Sequence, residues 1–273
     1  MKKIIAPTDF SSASYNACLY AAKMAEDLKA ELILMHVMEL PVAVAEYPVS
    51  NDVYAGLAMQ KELEGLENNL RAATNNSIHI EPKNILGFVD NEIKELCNEE
   101  QPFAVVMGTH SYDMLDRFFI GSTTLHTVKN VRCPVLVIPS DVTYKPIKKI
   151  ALAADLKNIY ELPVQEIETI VNIFNAGLDV FYIGKDHRQI SSRTLSKMLL
   201  DNRLINLEHA FHIEESPDIL AGIKRLAKLH NTDLLMIVPR KHGLFYKSRS
   251  KDFIFYADVP VMALHEDDVP TQA

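Results

Sequence analysis

The segment that decides the fold is "VVMGTHSYDMLDRFFIGSTT", residues 105–124. It begins with an apolar run that is typical of a buried strand, passes through Gly108, and ends with Gly121 followed by three hydroxyl residues. The first N–H groups of a helix have no partner within it, so a helix that begins at such residues favours an anion. The segment therefore indicates a strand, a loop and a helix in the arrangement that suits a phosphate group.

The composition indicates a packed globular protein. Hydrophobic residues make up 48% of the 273 residues and charged residues 23%, as in ordinary folded domains. The net charge is −8, and no run of Lys or Arg is dense enough to bind a phosphate backbone, so nucleic acid is not an expected partner. No apolar run is long enough for a signal peptide or a membrane span. We expect a soluble cytoplasmic protein without a membrane partner, in which the three separate cysteines are reduced thiols.

The chain contains an internal repeat. An ungapped shift of 146 positions places "KKI" at residues 2–4 on the same letters at 148–150, and Asp9 on Asp155. The same shift places the apolar run 32–37 on the run 178–183. Agreement at separate places in one frame indicates a duplicated domain. The proline-flanked polar segment 139–146 predicts the boundary, with domains over 1–141 and 146–273.

Strands and helices alternate in both halves. Apolar runs predict strands over residues 4–8, 32–37, 78–87, 103–108 and 133–139, and later over 178–184, 207–215, 233–239 and 259–264. Helices are predicted after Ser11 and Ser12 and over residues 91–100, 123–131, 164–174 and 218–230. This alternation predicts an α/β protein with parallel sheets and helices on both faces of each sheet.

A candidate site follows from the strand ends. In an open parallel sheet, ligands bind at the carboxyl ends of the strands where the strand order reverses. Asp9 follows the first strand, residues 36–38 end the second, and residues 108–110 leave the fourth. A carboxylate such as Asp9 can accept from a ribose hydroxyl or an adenine amino group, and the start of the helix at Gly121 suits phosphate. The pattern predicts a nucleotide site with a phosphate-binding end.

Each of these residues also has a structural alternative. Asp9 fits a strand-to-helix turn or the first helix cap, and Gly108 fits a turn at the strand end. Gly121 and the serine after it fit the start of a capped helix. His36 and His110 suit polar strand-end or loop positions better than roles as bases or ligands.

The chain resembles a tandem universal stress protein. The resemblance rests on "IIAPTDFSSAS" at 4–14, "LILMHV" at 32–37, "FAVVMGTHS" at 103–111 and "FIGSTTLHTVKNVRCPVLVIP" at 119–139. The family carries Gly-x2-Gly-x9-Gly-Ser/Thr in the last two segments, and Ser111 stands at the second of these glycines. The resemblance implies two tandem flavodoxin-like (adenine nucleotide alpha hydrolase-like) domains, each with a five-stranded parallel sheet.

The resemblance also implies a cofactor, either ATP with Mg²⁺ or AMP. In ATP-binding members, the residues matching Asp9 and Val37 contact adenosine, and the loop holds ribose and phosphates. The predicted cofactor-binding residues are Asp9, Val37, Gly108, Thr109, His110, Ser111, Gly121, Ser122 and Thr123. Members with an altered glycine pattern often bind no ATP, so Ser111 leaves nucleotide binding open. A serine reaches the left-handed region at a cost of about 1–2 kcal/mol, and its hydroxyl can itself bind phosphate.

The second half departs from this pattern. Aligning the ends of the fourth strands places Pro239 opposite Gly108 and Arg240 opposite Thr109. Proline has no N–H group and a fixed φ, and the loop after it has no Gly-Ser pair, so no nucleotide is expected in this half although Asp155 persists. The resemblance further implies that the two domains pair through residues 133–139 and 259–264 as a pseudo-dimer within the chain, with a further homodimer left open.

Three functions remain open at this point. The first is a stress-response protein whose first domain binds an adenine nucleotide while the second is structural. The second is a stress protein without nucleotide that acts through protein–protein contacts. The third, an enzyme that hydrolyses ATP or processes an adenylate, is disfavoured, because no nucleophile elbow and no Walker lysine are found. No catalytic residue is predicted, and no metal site either, since no His/Cys cluster has zinc spacing.

Overall fold

A computed structural model of the chain describes residues 1–38, 50–109, 122–156, 159–184, 194–239 and 258–265; at 50–55, 122 and 194–196 it describes the backbone alone. The chain divides into two compact units, Met1–Tyr144 and Lys145–Ala273. Within the described ranges, no helix combines the length and the apolar character that a membrane crossing requires.

The first unit is built on a five-stranded parallel sheet. Its strands are β1 (Lys3–Thr8), β2 (Glu31–Met38), β3 (Ile80–Leu86), β4 (Ala104–Gly108) and β5 (Val135–Ile138). Its helices are α1 (Ser12–Leu28), α2 (Ser50–Ala73), α3 (Val89–Glu100) and α4 (Ser122–Asn130). The strand order is β3-β2-β1-β4-β5, with every neighbouring pair parallel. The order therefore reverses between β1 and β4, which places a ligand crevice at their carboxyl ends.

Local sequence explains how α1 meets this sheet. The Ser11 side chain caps the helix by accepting a hydrogen bond from the Ser14 N–H at 3.2 Å. Ala17, Ala21 and Ala25 are fully buried and form one face of the helix. Because alanine is small, this face lets α1 lie close against the central strands.

The second unit has the same architecture. Its strands are β6 (Lys149–Ala153), β7 (Gly177–Gly184), β8 (His209–Glu215), β9 (Leu234–Ile237) and β10 (Val261–Ala263). Its helices are α5 (Val164–Phe174), α6 (Thr194–Arg203) and α7 (Ile219–Leu229), with a 3₁₀ turn at Ile159–Glu161. The order β10-β9-β6-β7-β8 reproduces that of the first unit. The shift of 146 positions takes β2 exactly onto the bounds of β7, and the predicted fold class is confirmed.

Two helices, α2 and α6, have no counterpart among the predicted segments. The core-facing side of α2 is nevertheless visible in the sequence, because Leu63, Leu66 and Leu70 recur at helical spacing and are at most 5% exposed. The stripe is narrow, and the remaining charged and amide residues of this helix obscure it.

The predicted alignment of the fourth strands is wrong by one residue. The Val105 N–H donates to the Pro134 carbonyl at 2.9 Å, and the Leu235 N–H donates to the Pro260 carbonyl at 2.9 Å. These bonds make Val105 equivalent to Leu235, so Val238 is opposite Gly108 and Pro239 is opposite Thr109. The end of an apolar run does not identify equivalent positions in two strands, because inter-strand hydrogen bonds determine the register.

Asp233 links the start of β9 to the start of β6 through hydrogen bonds. Its Oδ2 accepts from the N–H groups of Lys148 and Lys149 at 2.9 Å each, and its Oδ1 pairs with Lys145 Nζ at 2.7 Å. Burial alone would raise the pKa of this carboxyl, but the Lys145 ammonium and the two backbone donors outweigh burial and hold the pKa below its ordinary value. The carboxylate therefore stabilises the fold in its ionised form.

We predict that Asp233→Ala lowers the free energy of unfolding by about 1–3 kcal/mol at pH 7, because it leaves two strand-end N–H groups without their acceptor. The pKa is lower in the folded state, so the stabilisation is present above the unfolded-state pKa and is lost as pH falls below about 5. Urea unfolding between pH 7 and pH 3 measures both effects. Asp258→Ala is the control, since Asp258 is 84% exposed and lies 3.9 Å from Lys224. Equal losses in the two variants would contradict the role of Asp233.

Candidate nucleotide site

The turn after β1 is held by its own side chains. The Asp9 Oδ1 atom accepts from the Ser11 N–H at 3.0 Å and from the Ser11 hydroxyl at 2.6 Å. Phe10 has a φ of 62°, and its N–H donates to the Thr8 hydroxyl at 3.0 Å. The structure therefore matches the turn alternative for Asp9, whose side chain is exposed at the carboxyl end of β1.

His36 and Val37 end β2 in different ways. The His36 Nδ1 atom lies 2.8 Å from the Thr8 carbonyl oxygen, and its ring packs on Phe10 with centroids 4.5 Å apart. These contacts match the strand-end role for His36. The pairing of β1 with β2 stops at Thr8 and His36, so Val37 continues past the end of β1. Its side chain is 9% exposed, which leaves the backbone as the part of Val37 that can meet a ligand.

Gly108 is required by packing within the protein. A Cβ at this position would lie 2.7 Å from the Ala13 carbonyl carbon and closer still to its oxygen. Its φ is not positive, so a left-handed turn does not explain the glycine. The absent side chain instead admits the first turn of α1. The Gly108 carbonyl accepts from the Thr124 hydroxyl at 3.3 Å, which ties α4 to the end of β4.

The Thr109 side chain places a buried hydroxyl group at this site. The Thr109 N–H donates to the Ile138 carbonyl at 3.1 Å, so this N–H is already used in the sheet. The residue is 2% exposed, and its Oγ1 atom is buried without a hydrogen-bond partner among the residues that the structure describes. Leaving a buried hydroxyl unsatisfied costs about 1–3 kcal/mol. A ligand oxygen or hydroxyl at this position would remove that cost.

The start of α4 adds a favourable environment for an anion. The helix begins at Ser122, and its first turn contains no acidic residue. The first N–H groups of a helix and the positive end of its dipole attract negative charge. The Thr124 bond to the end of β4 places this helix end next to Thr109.

The structure describes some of the predicted cofactor-binding residues and not others. Asp9, Val37, Gly108, Thr109 and Thr123 all lie at carboxyl ends of the central strands or in the first turn of α4. His110, Ser111 and Gly121, together with the side chain of Ser122, lie outside the described residues, so the serine substitution stays an open question.

A cavity of about 290 Å³ lies on the α2 side of the β1–α1 turn. It is lined by Phe10, Tyr15, Lys61, Glu62, Gly65, Leu66 and Asn69. None of these is a predicted nucleotide contact. The strand-end geometry, rather than this cavity, therefore defines the candidate site.

Comparison with known proteins identifies the family. The model of the "Universal stress protein family" matches residues 1–139. The chain belongs to the universal stress protein family. The resemblance predicted from the sequence is thereby confirmed.

Relatives within this family match about half of the chain. "Universal stress protein MJ0531" of Methanocaldococcus jannaschii is 30% identical over 138 residues, covering 50% of this chain and 81% of that protein. "Universal stress protein MJ0577" of the same organism is 28% identical over 158 residues, covering 50% of this chain and 94% of that protein.

The fold similarity extends over both units. A crystal structure of a universal stress protein from Archaeoglobus fulgidus has a TM-score of 0.73, covering 96% of this chain and 98% of that chain at 14% identity. A putative universal stress protein from Pseudomonas aeruginosa UCBPP-PA14 has a TM-score of 0.61, covering 98% and 94% at 14% identity. At this identity the similarity shows the fold alone.

We predict that Gly108→Ala destabilises the protein by about 1–3 kcal/mol, since an added methyl group collides with backbone that cannot easily move. Thermal or urea unfolding measures the change. Gly65→Ala is the matched control, because Gly65 lies in α2 with nothing within 4 Å of the added atom. This control should gain about 0.5–1 kcal/mol from helix propensity. A Gly108→Ala variant as stable as the parent would show that α1 has room to shift.

Proposed function

We propose that this protein is a cytoplasmic stress-response protein whose first unit binds an adenine nucleotide, either ATP with Mg²⁺ or AMP. The observation that carries the proposal is the buried Thr109 hydroxyl, which has no hydrogen-bond partner in the described part of the chain and lies at the point where the strand order reverses. Membership of the universal stress protein family supports it, because ATP-binding members use the matching positions.

The groups around Thr109 suit two different parts of a nucleotide, the adenosine and the phosphates. The exposed Asp9 carboxylate and the backbone of Val37 suit the adenosine part, since they offer acceptors at neighbouring strand ends. The Thr109 hydroxyl and the start of α4 suit ribose and phosphate. When bound, Mg²⁺ would offset the charge of the phosphate groups.

The second unit differs from the first at the positions of Gly108 and Thr109. Val238 stands opposite Gly108 and is 3% exposed, and Pro239 stands opposite Thr109 with neither an N–H group nor a hydroxyl. We therefore propose one nucleotide per chain and a structural role for the second unit.

Calorimetry with Mg-ATP, ADP and AMP tests the proposal, and Thr109→Val is the decisive variant. Valine has nearly the same shape but no hydroxyl, so affinity should fall by about 1.5–3 kcal/mol, or roughly ten- to a hundredfold, if the hydroxyl binds a charged phosphate. Thermal stability without nucleotide should stay equal or rise, because an unsatisfied buried hydroxyl has been removed. Gly121→Val should abolish binding by blocking the start of the phosphate-binding helix.

Thr232→Val is the matched control. Thr232 is also buried, at 4% exposed, and its Oγ1 also lacks a partner within the described ranges, but it lies in the second unit. It should leave nucleotide affinity unchanged. Absence of binding by the parent protein would reject the proposal and favour action through protein–protein contacts, whereas ATP turnover in the same samples would favour the enzyme alternative. Unchanged affinity in Thr109→Val would exclude the hydroxyl as a ligand contact.

A further inference from the structure

We propose that the second unit binds a divalent transition-metal ion through Asp179, His212 and His230. One side-chain atom from each of these residues lies within 4.8 Å of the other two. Within this group, His212 Nε2 lies 2.8 Å from Asp179 Oδ1. The three residues form a cluster of two imidazoles and one carboxylate on the sheet of the second unit, with Asp179 in the first half of β7 and His212 at the middle of β8.

The strand register brings two of the ligands together. Phe181 of β7 is paired with His212 of β8, so their side chains share one face of the sheet. Asp179 precedes Phe181 by two positions and therefore lies on the same face. This diagonal arrangement explains the short distance between the Asp179 carboxylate and the His212 ring.

Helix α7 delivers the third ligand to the same face. A Cβ at Gly222 would lie 3.0 Å from Ile183, so the start of the helix passes close over the carboxyl-terminal part of β7. From Gly222 to His230 the helix advances about 12 Å, and from Ile183 back to Asp179 the strand covers about 13 Å. Because the helix runs opposite to the strand, His230 arrives above the end of β7 that carries Asp179. Lys149 Nζ donates to the His230 carbonyl at 3.1 Å and helps to fix this helix end.

The imidazole rings of His212 and His230 pack against the aromatic ring of Phe181. The ring centroids of His212 and His230 are 3.8 Å apart, and each lies 5.7 Å from the ring of Phe181. Phe181 itself is only 1% exposed. A buried aromatic ring beneath two imidazoles limits their rotation, which lowers the entropy cost of gathering them around an ion.

The ligand set indicates the class of metal. Two imidazoles and a carboxylate bind Zn²⁺ in sites that keep a position for water, and the same set binds non-haem Fe²⁺. Zn–N bonds of about 2.0–2.1 Å place tetrahedral ligand atoms about 3.3 Å apart, so atoms now within 4.8 Å need to close by about 1.5 Å at most. The His212 and Asp179 side chains are 24% and 18% exposed, which gives an ion and its remaining water ligands access from solvent. We therefore propose a Zn²⁺-type site with open coordination positions.

The test uses the full-length protein, stripped with EDTA and dialysed, and titrated with Zn²⁺ by calorimetry in the absence of nucleotide. Co²⁺ titration followed by visible absorption reports the coordination geometry independently. We expect one ion per chain and a rise in thermal stability on binding. Asp179→Asn and His230→Phe should each weaken binding at least tenfold, and the phenylalanine retains an aromatic ring against Phe181 so that the fold is preserved.

His209→Gln is the matched control, because His209 Nε2 also lies 3.1 Å from an aspartate oxygen, that of Asp201, in the same unit. Its Zn²⁺ affinity should equal that of the parent. Failure of the parent protein to bind Zn²⁺ or Co²⁺ would overturn the proposal, as would equal affinity in the parent and both cluster variants, which would assign binding to other histidines of the chain. Circular dichroism of each variant confirms that a lost signal does not come from unfolding.

Discussion

The contact between the bare Gly108 backbone and the Ala13 carbonyl is the constraint on which the geometry of the first unit depends. It allows the first turn of α1 to lie against the end of β4, which neighbours β1 at the sheet centre. The Gly108 carbonyl then receives the Thr124 hydroxyl, so the start of α4 is held at the same place. One missing side chain therefore lets two helix starts converge on the point where the strand order reverses.

The second unit shows what happens to the same sheet without that constraint. Val238 occupies the position equivalent to Gly108 and is buried, so the second unit has a side chain where the first unit has none. The 3₁₀ turn Ile159–Glu161 stands where the repeat places the first turn of α1, and α5 begins only at Val164. Strand order and strand pairing are the same in both units because they depend on buried apolar runs. The strand-to-helix turns at the carboxyl ends of the strands do not depend on such runs, and they differ between the units.

This difference explains how much could be predicted from the sequence. Strands such as β2 are buried on both faces over residues 32–37 and therefore appear as continuous apolar runs, which predict the fold class. The nucleotide-site hypothesis came from residues next to strand ends, and the structure brings Asp9 and Thr109 to neighbouring strand ends. The sequence could not assign the roles of individual atoms. The Thr109 N–H is used in the sheet, while its hydroxyl has no partner within the described ranges, and this division depends on the register with β5.

The Asp179–His212–His230 cluster could not be predicted from the spacing of residues in the sequence. Its members are 33 and 18 positions apart and lie on a strand, the next strand and the end of a helix, so no local motif contains them. They meet because the parallel register sets Phe181 beside His212 and because the length of α7 matches the length of the strand beneath it. The first unit has the buried Thr109 hydroxyl at the carboxyl end of β4. In the second unit, the pairing of β7 with β8 and the packing of α7, rather than a loop sequence, bring the three proposed metal ligands together.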